Sequence, residues 1–264
     1  METHLLIADF GRLVRGLFNI RMHMNALFEK GKHPSSSLLS DALNHLLGFV
    51  RSIDKTIFNE RDLQVYLADK LKGLNFYDEI DLEYRLPKGC NRHFDEGYEP
   101  WETEQPSIDI VVRKGCSYIP IELKYKLKSF KGNFTRFGEP PVDSVSLMKD
   151  QSAQNIGRYQ FWKDVKRLEL LNESYKNVVG GIALFVTNDS NYLITKTGTD
   201  YEQFGMTSPA HGVLDWKNPY KKNKKGKSVR KTPQIELHKS YEPTWVKDVF
   251  KIEDESFNCC YIVV

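Results

Sequence analysis

The chain begins with three segments in which apolar residues recur at helical spacing. They cover about residues 4–28, the stretch that follows Pro34, and about residues 60–72. Apolar side chains that repeat every three to four residues line one face of a helix, so the pattern predicts three amphipathic helices. We interpret the first two helices as scaffold or as an oligomer surface, for example of a homodimer. The second helix has an apolar stripe made of Leu39, Leu43, Leu46, Leu47, Val50 and Ile53.

The third helix is expected to turn one carboxylate toward the core. Asn59 suits the N-cap of this helix, and Gly73 suits its stop. A solvated carboxylate at a helix start, favoured by the helix dipole, is the alternative. We favour the inward orientation because strands that carry carboxylates follow directly. At about 100° per residue, Glu60 shares the face of the apolar residues Leu63, Leu67, Leu71 and Leu74.

Strand patterns dominate the rest of the chain. Residues 78–86 alternate apolar and polar side chains, which predicts a strand with one buried face. Residues 178–187 form a continuous apolar run, which is typical of a central strand covered on both faces. A long helix is predicted before that run, over about residues 149–171. The segments TPQIELHKS and SFNCCYIVV close the chain as strands.

The segment SIDIVVRKGCSYIPIELKYK reads as two short strands joined by a tight turn. An even-numbered turn pairs Arg113 with Tyr118, and counting outward then places Asp109 opposite Glu122. Their Cβ atoms would lie about 5 Å apart. Like charges at that distance destabilise a sheet unless a cation lies between them. Carboxylate oxygens are hard ligands, so we expect magnesium (Mg²⁺) or manganese (Mn²⁺) there.

A hairpin followed by a helix and a central strand indicates an α/β fold with a mixed central β-sheet flanked by helices. The chain has 264 residues, which is enough for one large domain or two small ones. We predict a helical N-terminal extension over residues 1–56 and a single larger domain over residues 57–264.

Composition and charge exclude several classes of protein. A hydrophobic fraction of 40% and an aromatic fraction of 12% are ordinary for a globular protein. No apolar run approaches the length of a membrane span, so we expect no membrane partner. The first residues carry acids among the apolar ones and make a poor signal peptide. The four cysteines show no CxxC pairing, so we expect reduced thiols and a cytoplasmic location.

Basic residues are concentrated in two loops. Residues 217–231 hold eight basic residues and no acid, although the net charge is only +3. In the other loop, basic residues alternate with Phe130, Phe134 and Phe137, a pattern that suits nucleic acid but equally suits a loop pinned to the core. The run at 217–231 also fits a solvated loop. The residues expected to bind nucleic acid phosphates are Lys126, Lys128, Lys131, Arg136, Lys221, Lys222, Lys224 and Lys225.

The long helix offers two polar residues in line with its apolar stripe. Projecting the stripe of Phe161, Val165 and Leu168 backward leads to Gln154 and Arg158. These residues are expected to hold a phosphate or to orient a carboxylate, and alternatively to satisfy buried main-chain groups.

This order of parts resembles the PD-(D/E)xK nuclease superfamily, the restriction-endonuclease-like fold, over about residues 57–190. In that family, the elements follow in the order of a helix with an acidic residue, a strand, a strand with an Asp, a strand with an (Asp/Glu)-x-Lys triplet, a helix and a strand. Glu60, Asp109 and the triplet Glu122-Leu123-Lys124 stand in those places here. The proline that usually directly precedes the Asp lies three residues earlier, as Pro106.

The resemblance implies a divalent-metal-dependent nuclease that hydrolyses phosphodiester bonds in DNA, of the restriction or defence type. It implies that Asp109, Glu122, the Leu123 carbonyl and Glu60 hold Mg²⁺ or Mn²⁺, and that Lys124 assists catalysis. Some exonuclease-like branches carry Gln-x-x-x-Tyr on the following helix, whereas Arg158 follows Gln154 here, so the resemblance favours an endonuclease. The alternative is a catalytically silent protein of the same fold that binds nucleic acid or a protein partner.

Overall fold

The computed structural model describes residues 34–86, 107–132, 137–139, 145–146, 153–222, 224, 226–230 and 232–264. The helix expected over about residues 4–28 lies outside these residues. The described helices are α1 (Pro34–Arg51), α2 (Glu60–Gly73) and α3 (Gln154–Ser174), with short 3-10 turns at Ser190–Leu193 and Glu202–Phe204. The described strands are β1 (Glu79–Arg85), β2 (Ser107–Lys114), β3 (Ser117–Lys126), β4 (Lys131–Gly132), β5 (Val145–Ser146), β6 (Ile182–Thr187), β7 (Ala210–Leu214), β8 (Tyr220–Lys222), β9 (Ser228–Arg230), β10 (Ile235–Tyr241), β11 (Thr244–Ile252) and β12 (Glu255–Val263).

Six strands form a mixed central sheet in the order β1-β2-β3-β6-β12-β11. The strands β3 and β6 are parallel, and the other neighbouring pairs are antiparallel. Parallel neighbours need a long crossover connection, and α3 lies within the one between β3 and β6. The predicted α/β class with a mixed central sheet is therefore confirmed.

Helices cover both faces of this sheet. On one face, the five predicted apolar residues of α1, together with Ile53 just beyond its end, are buried in a cluster with α2 and with strand residues such as Ile121 and Leu184. On the other face, Phe161 of α3 packs in a second cluster with Phe185 of β6. Complete burial of such a side chain stabilises the fold by about 2 kcal/mol. The α1 helix thus contributes to the main core, and the domain boundary at residue 56 stays a prediction.

The strand β6 is the central strand predicted from the apolar run. All six of its residues are buried, between β3 on one side and β12 on the other. The final segment forms β12 of the same sheet, whereas β10 pairs with β7 in a separate two-stranded sheet. Ile235 and Leu237 of β10 pack in the cluster that contains α3. The small sheet therefore lies against α3.

The edge strand β1 does not keep one buried face along its length, as its alternation had predicted. Ile80 and Leu82 pack against the main core, whereas Leu86, just beyond the strand, belongs to a third cluster with Val111. Between these positions, Glu83 adopts a left-handed backbone conformation with φ of +50°. This irregularity interrupts the two-residue period, so the positions on either side of it do not share a face.

Within the described part of the chain, no helix is both long enough and apolar enough to cross a membrane.

Candidate functional site

The hairpin of β2 and β3 has the predicted register. Arg113 pairs with Tyr118 and Ile110 pairs with Ile121, so the next position outward brings Asp109 opposite Glu122. The turn passes through Gly115, whose φ of +59° is a conformation that glycine adopts without strain. Asp109 is fixed further by its Oδ2, which accepts a 2.7 Å hydrogen bond from the main-chain N–H of Leu123.

The helix α2 brings Glu60 to this hairpin. Asn59 caps the helix as predicted, because its side chain accepts a 2.9 Å hydrogen bond from the N–H of Asp62. The Glu60 Oε2 accepts a 3.0 Å hydrogen bond from the main-chain N–H of Tyr125, and its Oε1 lies 3.4 Å from Lys124 Nζ. Glu60 therefore points inward to β3, as its place on the apolar face predicted.

Lys124 lies among the carboxylates. Its Nζ donates a 2.9 Å hydrogen bond to the Leu123 carbonyl and lies 3.0 Å from Asp164 Oδ2. The side chain is 14% exposed, so little water screens its interactions with these acids. The neighbouring acids, led by Asp164, raise the pKa of Lys124 although burial opposes ionisation. The neighbouring acids therefore favour the protonated form of Lys124.

Two residues of α3 belong to the site and were missed by sequence reasoning. Arg167 Nη1 lies 2.5 Å from Glu122 Oε1 and 3.6 Å from Asp164 Oδ1. Asp164 is 3% exposed, and it faces the sheet rather than solvent. The signal in the sequence was a row of polar residues at one-turn spacing beside the apolar stripe of α3. This row is Gln160, Lys163, Asp164 and Arg167.

These side chains surround one polar cleft with a volume of about 370 Å³. It opens between the start of α2, the hairpin of β2 and β3, and the middle of α3. Four carboxylates and four basic side chains line it. Carboxylates suit metal ions, and basic side chains suit phosphate groups. The lining residues are Glu60, Ser107, Asp109, Glu122, Lys124, Lys126, Gln160, Lys163, Asp164 and Arg167.

Burial makes the two hairpin carboxylates poorly solvated. It raises the pKa of Asp109, and the attraction of Lys124 and the hydrogen bond from Leu123 only partly oppose this. Burial also raises the pKa of Glu122, against the opposing attraction of Arg167. A carboxylate with a raised pKa is stabilised when a cation approaches, because the cation replaces the lost hydration.

The donor types at the cleft are those that a divalent metal ion prefers. Asp109, Glu122, Glu60 and the Leu123 carbonyl offer hard oxygen ligands, which Mg²⁺ and Mn²⁺ prefer. In the structure, those oxygens are engaged by Arg167, Lys124 and main-chain N–H groups. A metal ion bound there would exchange with these partners.

Gln154 and Arg158 are not brought to the carboxylates of the cleft. Gln154 donates a 2.6 Å hydrogen bond to Asp189, and Arg158 donates to the carbonyls of Asn191 and Ile194. Arg158 is fully buried, so its inward direction was predicted correctly. Its position along the sheet differs, because a helix rises about 1.5 Å per residue, which separates Arg158 from Asp164 by roughly 9 Å and Gln154 from Asp164 by roughly 15 Å along the helix axis.

The basic residues fall into two places. Lys126 lines the cleft, and Lys128 and Lys131 follow β3 in the next segment. Phe130 of that segment is buried in the main core, whereas Phe137 is fully exposed. Lys221, Lys222 and Lys224 belong to the exposed β8–β9 hairpin. Arg136 and Lys225 lie outside the described residues.

Among the described residues, the three ligand atoms that lie close enough together to hold a metal ion belong to Glu169, Glu173 and His238, and not to the acids of the cleft. Their ligand atoms lie within 4.8 Å of one another, so the group could hold a metal ion. Glu169 is already saturated, however, because it accepts hydrogen bonds from Lys166, from main-chain N–H groups and from Tyr241. This arrangement is better explained as a structural connection between α3 and β10.

Comparison of the chain with protein-family models, with curated proteins and with solved structures found no match.

Proposed function

We propose that the chain is a divalent-metal-dependent nuclease that hydrolyses phosphodiester bonds in DNA as an endonuclease. The observation that carries the proposal is the convergence of Glu60, Asp109, Glu122 and Lys124 on one cleft. Three separate elements supply these residues, and together they place two poorly solvated carboxylates near a lysine. We also assign the central sheet to the restriction-endonuclease-like fold, which orders its helix, hairpin, helix and strand in this way.

The chemistry follows from the ligand types. Asp109, Glu122, the Leu123 carbonyl and Glu60 are the residues that would hold Mg²⁺ or Mn²⁺. Such an ion, when bound, supplies Lewis acidity and lowers the pKa of a coordinated water. Lys124 remains protonated and is positioned to orient the attacking water and to stabilise negative charge on the phosphate oxygens.

The basic residues provide the surface for the substrate. Lys126 lies in the cleft itself, and the β8–β9 hairpin carries further exposed lysines. Lysine contacts to phosphates are independent of sequence, and they hold the backbone in place for cleavage. They favour nucleic acid as the substrate class.

The test is incubation of the purified protein with plasmid and linear DNA, with Mg²⁺ or Mn²⁺. We expect internal cleavage that Asp109→Ala and Lys124→Ala abolish. Glu173→Ala is the matched control, since it removes a carboxylate of α3 that does not line the cleft. The absence of cleavage of any DNA or RNA with either metal would refute the proposal.

One observation favours a second candidate, a silent protein of the same fold that binds nucleic acid. Arg167 and Lys124 already contact the buried acids, so part of the negative charge of the cleft is compensated without a metal ion. Calorimetry separates the two candidates. Salt-sensitive DNA binding, with no divalent binding that depends on Asp109 and Glu122, would establish the silent candidate.

A further inference from the structure

We propose that Arg167 is an internal counter-ion that holds Glu122 until a divalent ion binds, and that Asp164 receives the displaced guanidinium. The inference rests on the proposed function in one respect, since both require that the acids of the cleft bind a divalent ion. It assigns a role to Asp164 and Arg167. Neither residue is among those that carry the family resemblance, which are Glu60, Asp109 and the triplet Glu122-Leu123-Lys124. Arg167 acts through Glu122 and is therefore a positioning residue.

The contact between Arg167 and Glu122 is the first argument. Glu122 is 2% exposed, so water cannot hydrate its charge, and Arg167 Nη1 lies 2.5 Å from its Oε1. A hydrogen bond with charge on both partners is short and strong. The guanidinium therefore contacts an oxygen that a metal ion would need, and the two cations compete for it.

The position of Asp164 is the second argument. It precedes Arg167 by three residues on α3, so the two side chains lie on the same face of the helix. The Asp164 Oδ1 lies 3.6 Å from Arg167 Nη1, beyond hydrogen-bond length but within reach of a side-chain rotation. Its Oδ2 lies 3.0 Å from Lys124 Nζ. Asp164 is thus a second buried carboxylate that can accept the guanidinium without leaving it uncompensated.

The place of Arg167 in the cleft is the third argument. It shares the wall of the cleft with Lys163 and Gln160, each about one or two helical turns away. A guanidinium released from Glu122 remains within this wall, where its planar fork suits a phosphate group. The exchange would therefore couple metal binding to the creation of a phosphate-binding group.

The test is calorimetric titration of Mn²⁺ into the folded protein without nucleic acid. The Arg167→Gln variant lacks the competing cation, so it should bind Mn²⁺ about tenfold more tightly than the wild type. This factor corresponds to the loss of one charged contact with Glu122. The rise in melting temperature on Mn²⁺ addition should also be larger in this variant. Lys163→Gln, which removes a cation from the same wall, should change Mn²⁺ affinity less, and Arg167→Lys should stay close to wild type.

A merely structural Arg167 would not increase Mn²⁺ affinity when it is replaced. Equal or weaker Mn²⁺ binding by a folded Arg167→Gln protein would overturn the inference. A measurement on the wild type covers the case in which the variant does not fold. The Nε–H resonance of Arg167, assigned with Arg167→Lys, should shift as Mg²⁺ saturates the site, and an unchanged resonance at saturation would overturn the inference as well.

The outcomes remain distinct from those of the nuclease proposal. Tighter Mn²⁺ binding by Arg167→Gln together with no cleavage of DNA would support the counter-ion and refute the nuclease. Cleavage by the wild type with unchanged Mn²⁺ affinity in Arg167→Gln would refute only the counter-ion. No Mn²⁺ binding by either protein would refute both.

Discussion

The Glu60 carboxylate accepts a 3.0 Å hydrogen bond from the main-chain N–H of Tyr125. This contact joins the first turn of α2 to the strand that carries Glu122 and Lys124, although Glu60 and Tyr125 are 65 positions apart. The second oxygen of Glu60 faces Lys124 Nζ at 3.4 Å. A single carboxylate therefore fixes the position of α2 and adds negative charge to the cleft.

The variant Glu60→Gln separates these two roles. The amide still accepts the hydrogen bond from Tyr125 but has no charge, so we expect folding to be retained. Metal affinity and cleavage should fall by roughly tenfold, the usual cost of losing a residue that supports a metal site. Thermal unfolding and Mn²⁺ titration measure the two effects. Full activity of Glu60→Gln would show that its charge plays no part in the site.

The β8–β9 hairpin is expected to bind phosphates without reading sequence. Lys221→Ala and Lys222→Ala should each weaken binding to unrelated DNA sequences to a similar degree. Each should also reduce the slope of log affinity against log salt by about one. Fluorescence anisotropy at several salt concentrations provides the measurement. Glu236→Ala, an exposed residue of β10, is the control. Unchanged affinity and slope in both lysine variants would place the DNA elsewhere.

His45 is expected to make the stability of the fold depend on pH. It lies beside Phe76 and Tyr77, and its Nδ1 is 2.9 Å from the Tyr77 hydroxyl. Burial lowers the pKa of His45, with Asp41 opposing the shift. Below about pH 6.5, the pKa of histidine in an unfolded chain, His45 binds a proton more readily in the unfolded chain than in the folded protein. The contribution of neutral His45 to the free energy of unfolding should therefore be complete above that pH and decrease as the pH falls below it.

The variant His45→Gln should have a flatter dependence of melting temperature on pH between about 7.5 and 5. The matched control is His211→Gln, because His211 is exposed on β7. An identical pH profile for wild type and His45→Gln would contradict this assignment.

Glu169 is expected to stabilise the junction of α3 with β10. Its carboxylate accepts a 2.9 Å hydrogen bond from the Tyr241 hydroxyl and lies 2.8 Å from Lys166 Nζ. The variant Glu169→Ala would leave the buried Lys166 without its partner, a loss of about 3–5 kcal/mol. The free energy of unfolding in urea measures this effect. Glu173→Ala, at a more exposed position of the same helix, should cost much less, and equal losses would contradict the assignment.

The sequence predicted the parts of the site that depend on local periodicity. Alternation and an even turn were enough to place Asp109 opposite Glu122, and the helical period was enough to turn Glu60 inward. Both inferences hold because a strand and a helix repeat with fixed periods. The same reasoning predicted the buried stripe of α1 and the central strand β6.

The part that was not predicted depends on how one element lies along another. The period of α3 gave the direction of Arg158 but not which turn of the helix crosses the carboxylates. That turn holds Asp164 and Arg167, which resemble an exposed ion pair when only the sequence is considered. The irregularity at Glu83 was likewise hidden, because nothing in the alternation of β1 marks a left-handed residue.

The location of a bound Mn²⁺ ion tests the central claim most directly. Crystals soaked in Mn²⁺ should show an anomalous scattering peak bounded by the carboxylates of Asp109 and Glu122 and by the Leu123 carbonyl. A saturating soak with no peak in this cleft, or with a peak only beside Glu169, Glu173 and His238, would contradict the account.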